Sequence, residues 1–157
     1  MNVDHRVHFD RAAEVAAQAT CTRAHCGAVV VAASGMVLGT GFNAPPLGLE
    51  SQRMCDHDLS ASPKPKSDRT CCVHAEWNAI LNALLAHPGK VAGSTLYFMR
   101  VDETGAFTEA GEPYCTVCSR LALQAGITTF GLWNDGPEMI PADTYNLESY
   151  RFHMATR

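Results

Sequence analysis

The chain has 157 residues, 46% of them hydrophobic and 18% charged, with twelve basic against sixteen acidic side chains and a formal net charge of −4. That length predicts one domain, and the charge, with three lysines in all, argues against a broad basic face for a polynucleotide. No apolar run approaches the roughly 20 residues a membrane span requires, and the charged N-terminus has no apolar secretory stretch, which sets the cytoplasm as the expected compartment. Seven cysteines, an odd number, then read as reduced thiols and metal ligands rather than a disulfide scaffold.

In chain order, Asp4 to Thr20 sets Val7, Ala12, Val15, Ala16 and Ala19 among charged positions and predicts an amphipathic helix. Gly27 to Ala33 is a short β-branched run and reads as a buried strand, with Ser34-Gly35 turning into a hairpin partner over Met36 to Asn43. Ala44 to Arg69, rich in Pro, Ser, Asp and Lys, reads as a long loop. A helix follows over His74 to His87, ended by Pro88-Gly89. Ser94 to Met99 reads as a strand, Val101 to Glu112 as a polar loop, Cys115 to Gln124 as a helix closed by Gly126, and Ile127 to Trp133 as a strand. Beyond Asn134 the pattern predicts only a short helix over Thr144 to Phe152. Helices that feed strands imply an α/β fold with a central sheet covered by helices.

Two segments carry chemistry: His74-Ala75-Glu76 and Pro113-Tyr114-Cys115-Thr116-Val117-Cys118, each at a predicted helix start. Helix N-termini favour thiolate over thiol, and one turn lets Cys115 and Cys118 reach a single ion. With the nitrogen of His74 they leave the fourth position of a zinc tetrahedron open, as a catalytic site requires. Glu76 need not ligate; it can move a proton between water and a substrate ring nitrogen or leaving amine. Those are the parts for hydrolytic deamination of an amino-heterocycle. Alone, Cys-x-x-Cys is as often a zinc knuckle or redox pair, and His-x-Glu is usually nothing; together they are far more specific. A zinc-stapled binding module is the non-enzymatic alternative, and Glu76 argues against it.

His-x-Glu followed by Pro-Cys-x-x-Cys is the zinc-deaminase signature, and the chain resembles the cytidine/deoxycytidylate deaminase superfamily, nearest its dCMP branch. The likeness runs from Asp4 to Leu132 through Thr20 to Val31, the turn Gly39-Thr40-Gly41-Phe42-Asn43-Ala44-Pro45-Pro46, Val73 to Asn82, Ser94 to Tyr97 and Leu121 to Ile127. It implies a three-layer α/β/α sandwich around a mixed sheet and one CMP/dCMP-type deaminase domain over residues 1–157. It implies one catalytic zinc on His74, Cys115 and Cys118, with Glu76 as proton shuttle. Asn43 would bond the substrate's sugar or base, and the backbone at Ala75 the pyrimidine edge. It further implies a homo-oligomer acting on a small molecule, first of all dCMP to dUMP and ammonia. Another amino-heterocycle (a nucleoside, guanine, or a riboflavin precursor) is the alternative.

Two features depart from the family's pattern. Tyr114 stands between the proline and the first cysteine, where the signature has proline directly before cysteine. Val101 to Glu112 is an insertion, with Arg100 at its base and carboxylates at Asp102, Glu103, Glu109 and Glu112. Facing the pocket, those carboxylates would favour uncharged substrates. Lys64, Lys66 and Arg69, or Arg100, are the cations that could meet a phosphate. Cys55, His57, Cys71 and Cys72 offer ligands for a second, structural zinc, with ordinary thiols the simpler reading. Cys21 and Cys26 read as small core residues, and Trp77 as a core or subunit-interface residue.

Overall fold

The computed structural model describes residues 4–54 and 70–154. The elements run α1 (Arg6–Ala16), β1 (His25–Val31), β2 (Val37–Phe42), two 3-10 turns, α2 (Ala75–Ala86), β3 (Thr95–Val101), β4 (Phe107–Thr108), α3 (Thr116–Gln124), β5 (Thr129–Trp133), β6 (Pro137–Pro141) and α4 (Ala142–Met154). The sheet has the order β2-β1-β3-β5-β6, with β4 pairing β3. It is mixed: β3 and β5 are parallel, joined through α3, and the remaining pairs are antiparallel.

Strand alternation decides the layers. Val29 and Val31 of β1 join Tyr97, Met99 and Val101 of β3 under Phe9, Ala12, Val15 and Ala16 of α1. The opposite face sends Cys26, Ala28 and Val30 with Leu96 and Phe98 against Ala75, Ala79, Ile80 and Ala83 of α2, Ala122 of α3 and Tyr145 of α4. One helix therefore covers one face and three cover the other, the expected three-layer sandwich.

The depth of α2 is set by glycines. A Cβ on Gly41 would run into Ala79 N and Ala75 O, and one on Gly39 into Ala83 N and Ala79 O. The helix backbone thus lies directly on β2, closer than any side chain permits. Asn78 and Asn82, one turn apart, donate to the carbonyls of Phe42 and Thr40 at 2.9 and 2.8 Å. Packing and hydrogen bonds together fix where the N-terminus of α2 points.

Two strands escaped the sequence reading. Val101 to Glu112 is not a plain loop: β3 extends to Val101, and Phe107–Thr108 pairs back on Arg100 and Val101 as β4. Asp102 shapes the turn, its Oδ1 accepting from the backbone N–H of Thr104 and of Ala106 at 2.8 and 2.9 Å. Pro137–Pro141 forms β6 on β5, and the expected short C-terminal helix is the longer α4. Among the described residues, no helix is long and apolar enough to cross a membrane.

Candidate active site

The N-termini of α2 and α3 converge beside the C-terminal end of β3. His74 is the N-cap of α2, and the bridge Ala44–Val73 fastens the chain just before it. Cys115 is the N-cap of α3, and its Sγ accepts the Cys118 N–H at 3.4 Å. The His74 Nδ1 lies 3.4 Å from the Cys118 Sγ. One donor atom from each of His74, Cys115 and Cys118 lies within 4.8 Å of the others. A zinc tetrahedron with bonds of about 2.0–2.3 Å needs donor separations of about 3.8 Å or less, so adjustments of about 1 Å close it. Two sulfurs and one imidazole are also the right donors for that ion. Among the described residues no second such group occurs.

The protonation pattern of the three donors is asymmetric. Hydrogen bonding from Cys118, reinforced by His74, drives the Cys115 thiol down to about 3 against its burial. The same contact and burial push Cys118 well above the usual thiol range. The hydrogen bond to Cys115 lifts His74 to about 9. Cys115 is thus a thiolate paired with a His74 imidazolium, while Cys118 keeps its proton.

Glu76 occupies the first turn of α2 and is 7% exposed. Burial pushes its carboxyl upward; the His74 charge pulls the other way and is outweighed. A carboxyl shifted this way suits proton transfer near neutrality.

Asn43 is buried, and both ends of its amide are engaged. Its Oδ1 accepts the Cys26 N–H at 2.8 Å, and its Nδ2 donates to the Ala24 carbonyl at 2.7 Å. It therefore holds the entry to β1 in place, with one lone pair and one N–H to spare. Ala75 is fully buried at the first position of α2, where backbone N–H groups lack helical partners.

Arg100, expected only as one of several cations that could meet a phosphate, stands out. Cys26, Arg100 and Thr108 lie opposite one another on β1, β3 and β4, hence in one row on the α2 side of the sheet. Burial, then the Glu76 charge, push the Cys26 thiol up to about 11, while the Arg100 guanidinium pulls the other way. The Arg100 Nε and the Thr108 Oγ1 are buried without a hydrogen-bond partner, and the Arg100 charge acts on Glu76. A half-buried cation beside the candidate proton shuttle retains donor capacity. No local pattern marks it, because the β4 pairing builds the row.

The thiols read as small core residues are placed as expected. Cys21 and Cys26 are buried. Cys72 is half-buried, and its thiol bonds those of Cys21 and Cys71, with burial the largest cause that raises it. Cys55, His57, Lys64, Lys66 and Arg69 lie outside the described residues. Asp102, Glu103, Glu109 and Glu112 are all exposed, so the insertion turns its carboxylates to solvent.

Two cysteines and a histidine placed to hold one zinc ion, with the buried Glu76 at the same helix start, are the parts of a zinc-dependent hydrolase. The chain belongs to the cytidine and deoxycytidylate deaminase family, whose zinc-binding region matches residues 2–132. It has no significant match among curated proteins. Among solved structures, it is similar to the dCMP deaminase of cyanophage S-TIM5 in complex with dCMP and dUMP: 25% identity, 83% of this chain and 81% of that one covered, TM-score 0.55. The cytidine deaminase of Burkholderia pseudomallei shares the fold at 16% identity, with 91% and 96% covered and a TM-score of 0.60. That of Mycobacterium tuberculosis does so at 20%, with 87% and 90% covered and a TM-score of 0.51.

Proposed function

We propose that the chain, as a single domain over residues 1–157, deaminates dCMP to dUMP and ammonia. The observation that carries deamination is the buried Glu76 beside the His74–Cys115–Cys118 donors. When bound there, zinc supplies the Lewis acidity that makes water a nucleophile at neutral pH. The chain's residues do the rest. Glu76 accepts one proton of the attacking water and passes it to the ring nitrogen, then takes the proton of the added hydroxyl and delivers it to the amine as the C–N bond breaks. The backbone at Ala75 meets the pyrimidine edge, and the spare N–H and lone pair of Asn43 meet the sugar or base. Burial keeps bulk water from competing for these bonds.

The nucleotide, rather than the nucleoside, is favoured by Arg100, whose partly unsatisfied guanidinium would meet the phosphate. Exposed hairpin carboxylates do not oppose it there. The phage deaminase that binds dCMP and dUMP supports the same reading. A panel of dCMP, CMP, deoxycytidine, cytosine, guanine and adenine, assayed by ammonia release, tests it; failure to turn over dCMP overturns it. In Arg100→Ala, kcat/KM for dCMP should fall about 10–100-fold, the loss of one charge-assisted contact. That for deoxycytidine should change far less. Equal losses on both substrates remove Arg100 from phosphate recognition.

Trp77, Leu81, Leu84 and Leu85 form one stripe on α2, 36–74% exposed, opposite the buried Ala75, Ala79, Ile80 and Ala83. We assign this stripe to a homo-oligomer contact with a second copy. Light scattering at micromolar concentration should give a dimer or larger, and Leu81→Lys should shift it toward monomer. A monomeric wild type would defeat the assignment. We place the chain in the cytoplasm, where thiols such as Cys21, Cys26 and Cys118 stay reduced.

A further inference from the structure

The insertion Val101 to Glu112 presents one polar residue to the α2 side of the sheet. Its carboxylates at Asp102, Glu103, Glu109 and Glu112 are exposed, whereas Thr108 is half-buried and its Oγ1 is fully covered. Strand alternation sends Phe107 to the α1 side, where it packs on that cluster, and Thr108 therefore to the α2 side. Arg100, its partner on β3, faces the same way, two residues after Phe98 in the core under α2. The row continues to Cys26 of β1 and then to Asn43. The Asn43 N–H donates to the Cys26 carbonyl at 3.3 Å, and the Asn43 Oδ1 accepts the Cys26 N–H at 2.8 Å. Ala44 then pairs with Val73, directly before His74. Asn43, Cys26, Arg100 and Thr108 thus lie side by side in steps of about 5 Å, at the end of the sheet where α2 and α3 begin.

The chemistry of that row is one-sided. The Arg100 Nε and Thr108 Oγ1 are buried and have no hydrogen-bond partner among the described residues. No ion pair among those residues holds Arg100. Folded proteins satisfy nearly all buried polar groups, so two orphans on adjacent strands mark a place where a ligand completes the bonding. A guanidinium offers donors alone, and a hydroxyl beside it can donate as well. Such a pair matches a group that brings negative charge and several acceptor oxygens, as phosphate does.

We propose that Thr108 is a specificity-determining residue: the inserted hairpin sets its hydroxyl beside Arg100 to bond a phosphate oxygen of the substrate, so the insertion selects nucleotide over nucleoside. This rests on the reading of the site as one for dCMP. The loop's four carboxylates would oppose a phosphate if they faced the pocket; the β4 pairing turns Thr108 inward and leaves them at the surface.

The test compares dUMP with deoxyuridine, which differ only in the phosphate, by calorimetry on the zinc-loaded protein. In Thr108→Val the Kd for dUMP should rise about 10–100-fold, the loss of one charge-assisted bond, and that for deoxyuridine far less. Thr108→Ser, which restores the hydroxyl, should recover dUMP affinity. The ligand-free melting temperature of Thr108→Val should equal or exceed that of wild type, since valine replaces an unpartnered polar group with an apolar one of the same shape. Thr108→Ala gives the same affinity comparison if the valine variant does not fold. Unchanged dUMP affinity overturns the proposal. So do equal losses on both ligands, which with a lowered melting temperature would make the hydroxyl part of the fold. A wild type that fails to turn over dCMP, yet prefers dUMP to deoxyuridine through Thr108, defeats the dCMP reading and leaves the phosphate contact standing.

Discussion

Glu76→Gln should retain its zinc and lose turnover by at least about 10²-fold, the usual scale of general acid–base catalysis. The side chain is buried at the start of α2, and burial holds its carboxyl above the ordinary carboxylate range. A glutamine fills the same volume and can still donate and accept hydrogen bonds, so packing and substrate contacts change little. It cannot take a proton and give it back. The loss should therefore fall on kcat, with KM nearly unchanged, the mark of an interaction used in the transition state. Zinc analysis beside an ammonia-release assay separates this outcome from damage to the metal site. Near-normal turnover in a zinc-loaded variant would sink the proton-shuttle role.

The metal trio and Glu76 were legible because their signal is local. Each pair sits within one helical turn, and both helices announce themselves by apolar periodicity. The layered fold was legible for the same reason, from Gly27 to Ala33 and from His74 to His87. What stayed hidden depends on partners distant in sequence. The strand Phe107–Thr108 is two residues long, too short for alternation to show, and exists because Arg100 and Val101 offer it an edge. The strand Pro137–Pro141 has proline at both ends, which reads as loop until β5 supplies its partner. Arg100 gains its significance only through such contacts, in a row across β1, β3 and β4. Asn43 shows the reverse. Its turn chemistry was readable, but the two backbone groups it binds were not.

His74→Ala and Cys115→Ser should each purify with little zinc, and wild type with one ion per chain. Among the described residues three protein donors converge at the site, so removing one leaves two of them, too few for a tight site. The protonation pattern adds a quantitative expectation for the metal-free wild type. Zinc takes thiolates and neutral imidazole. Cys115 is already ionised, whereas His74 and Cys118 both carry protons at neutral pH. Uptake near pH 7 should therefore release about two protons per ion, and apparent affinity should rise about 100-fold per pH unit. The sign follows from His74, whose proton leaves only as pH rises toward about 9, and from Cys118, held as thiol by burial and Cys115. Calorimetry in buffers of different ionisation enthalpy counts those protons. Chelator should also lower the melting temperature of wild type, since an ion at 1,000 times its Kd adds about 4 kcal/mol to the folded state. It should leave His74→Ala unmoved. Full zinc occupancy in either ligand variant would show that the ion is held elsewhere, and with it would fall the placement of Glu76 beside the reacting water.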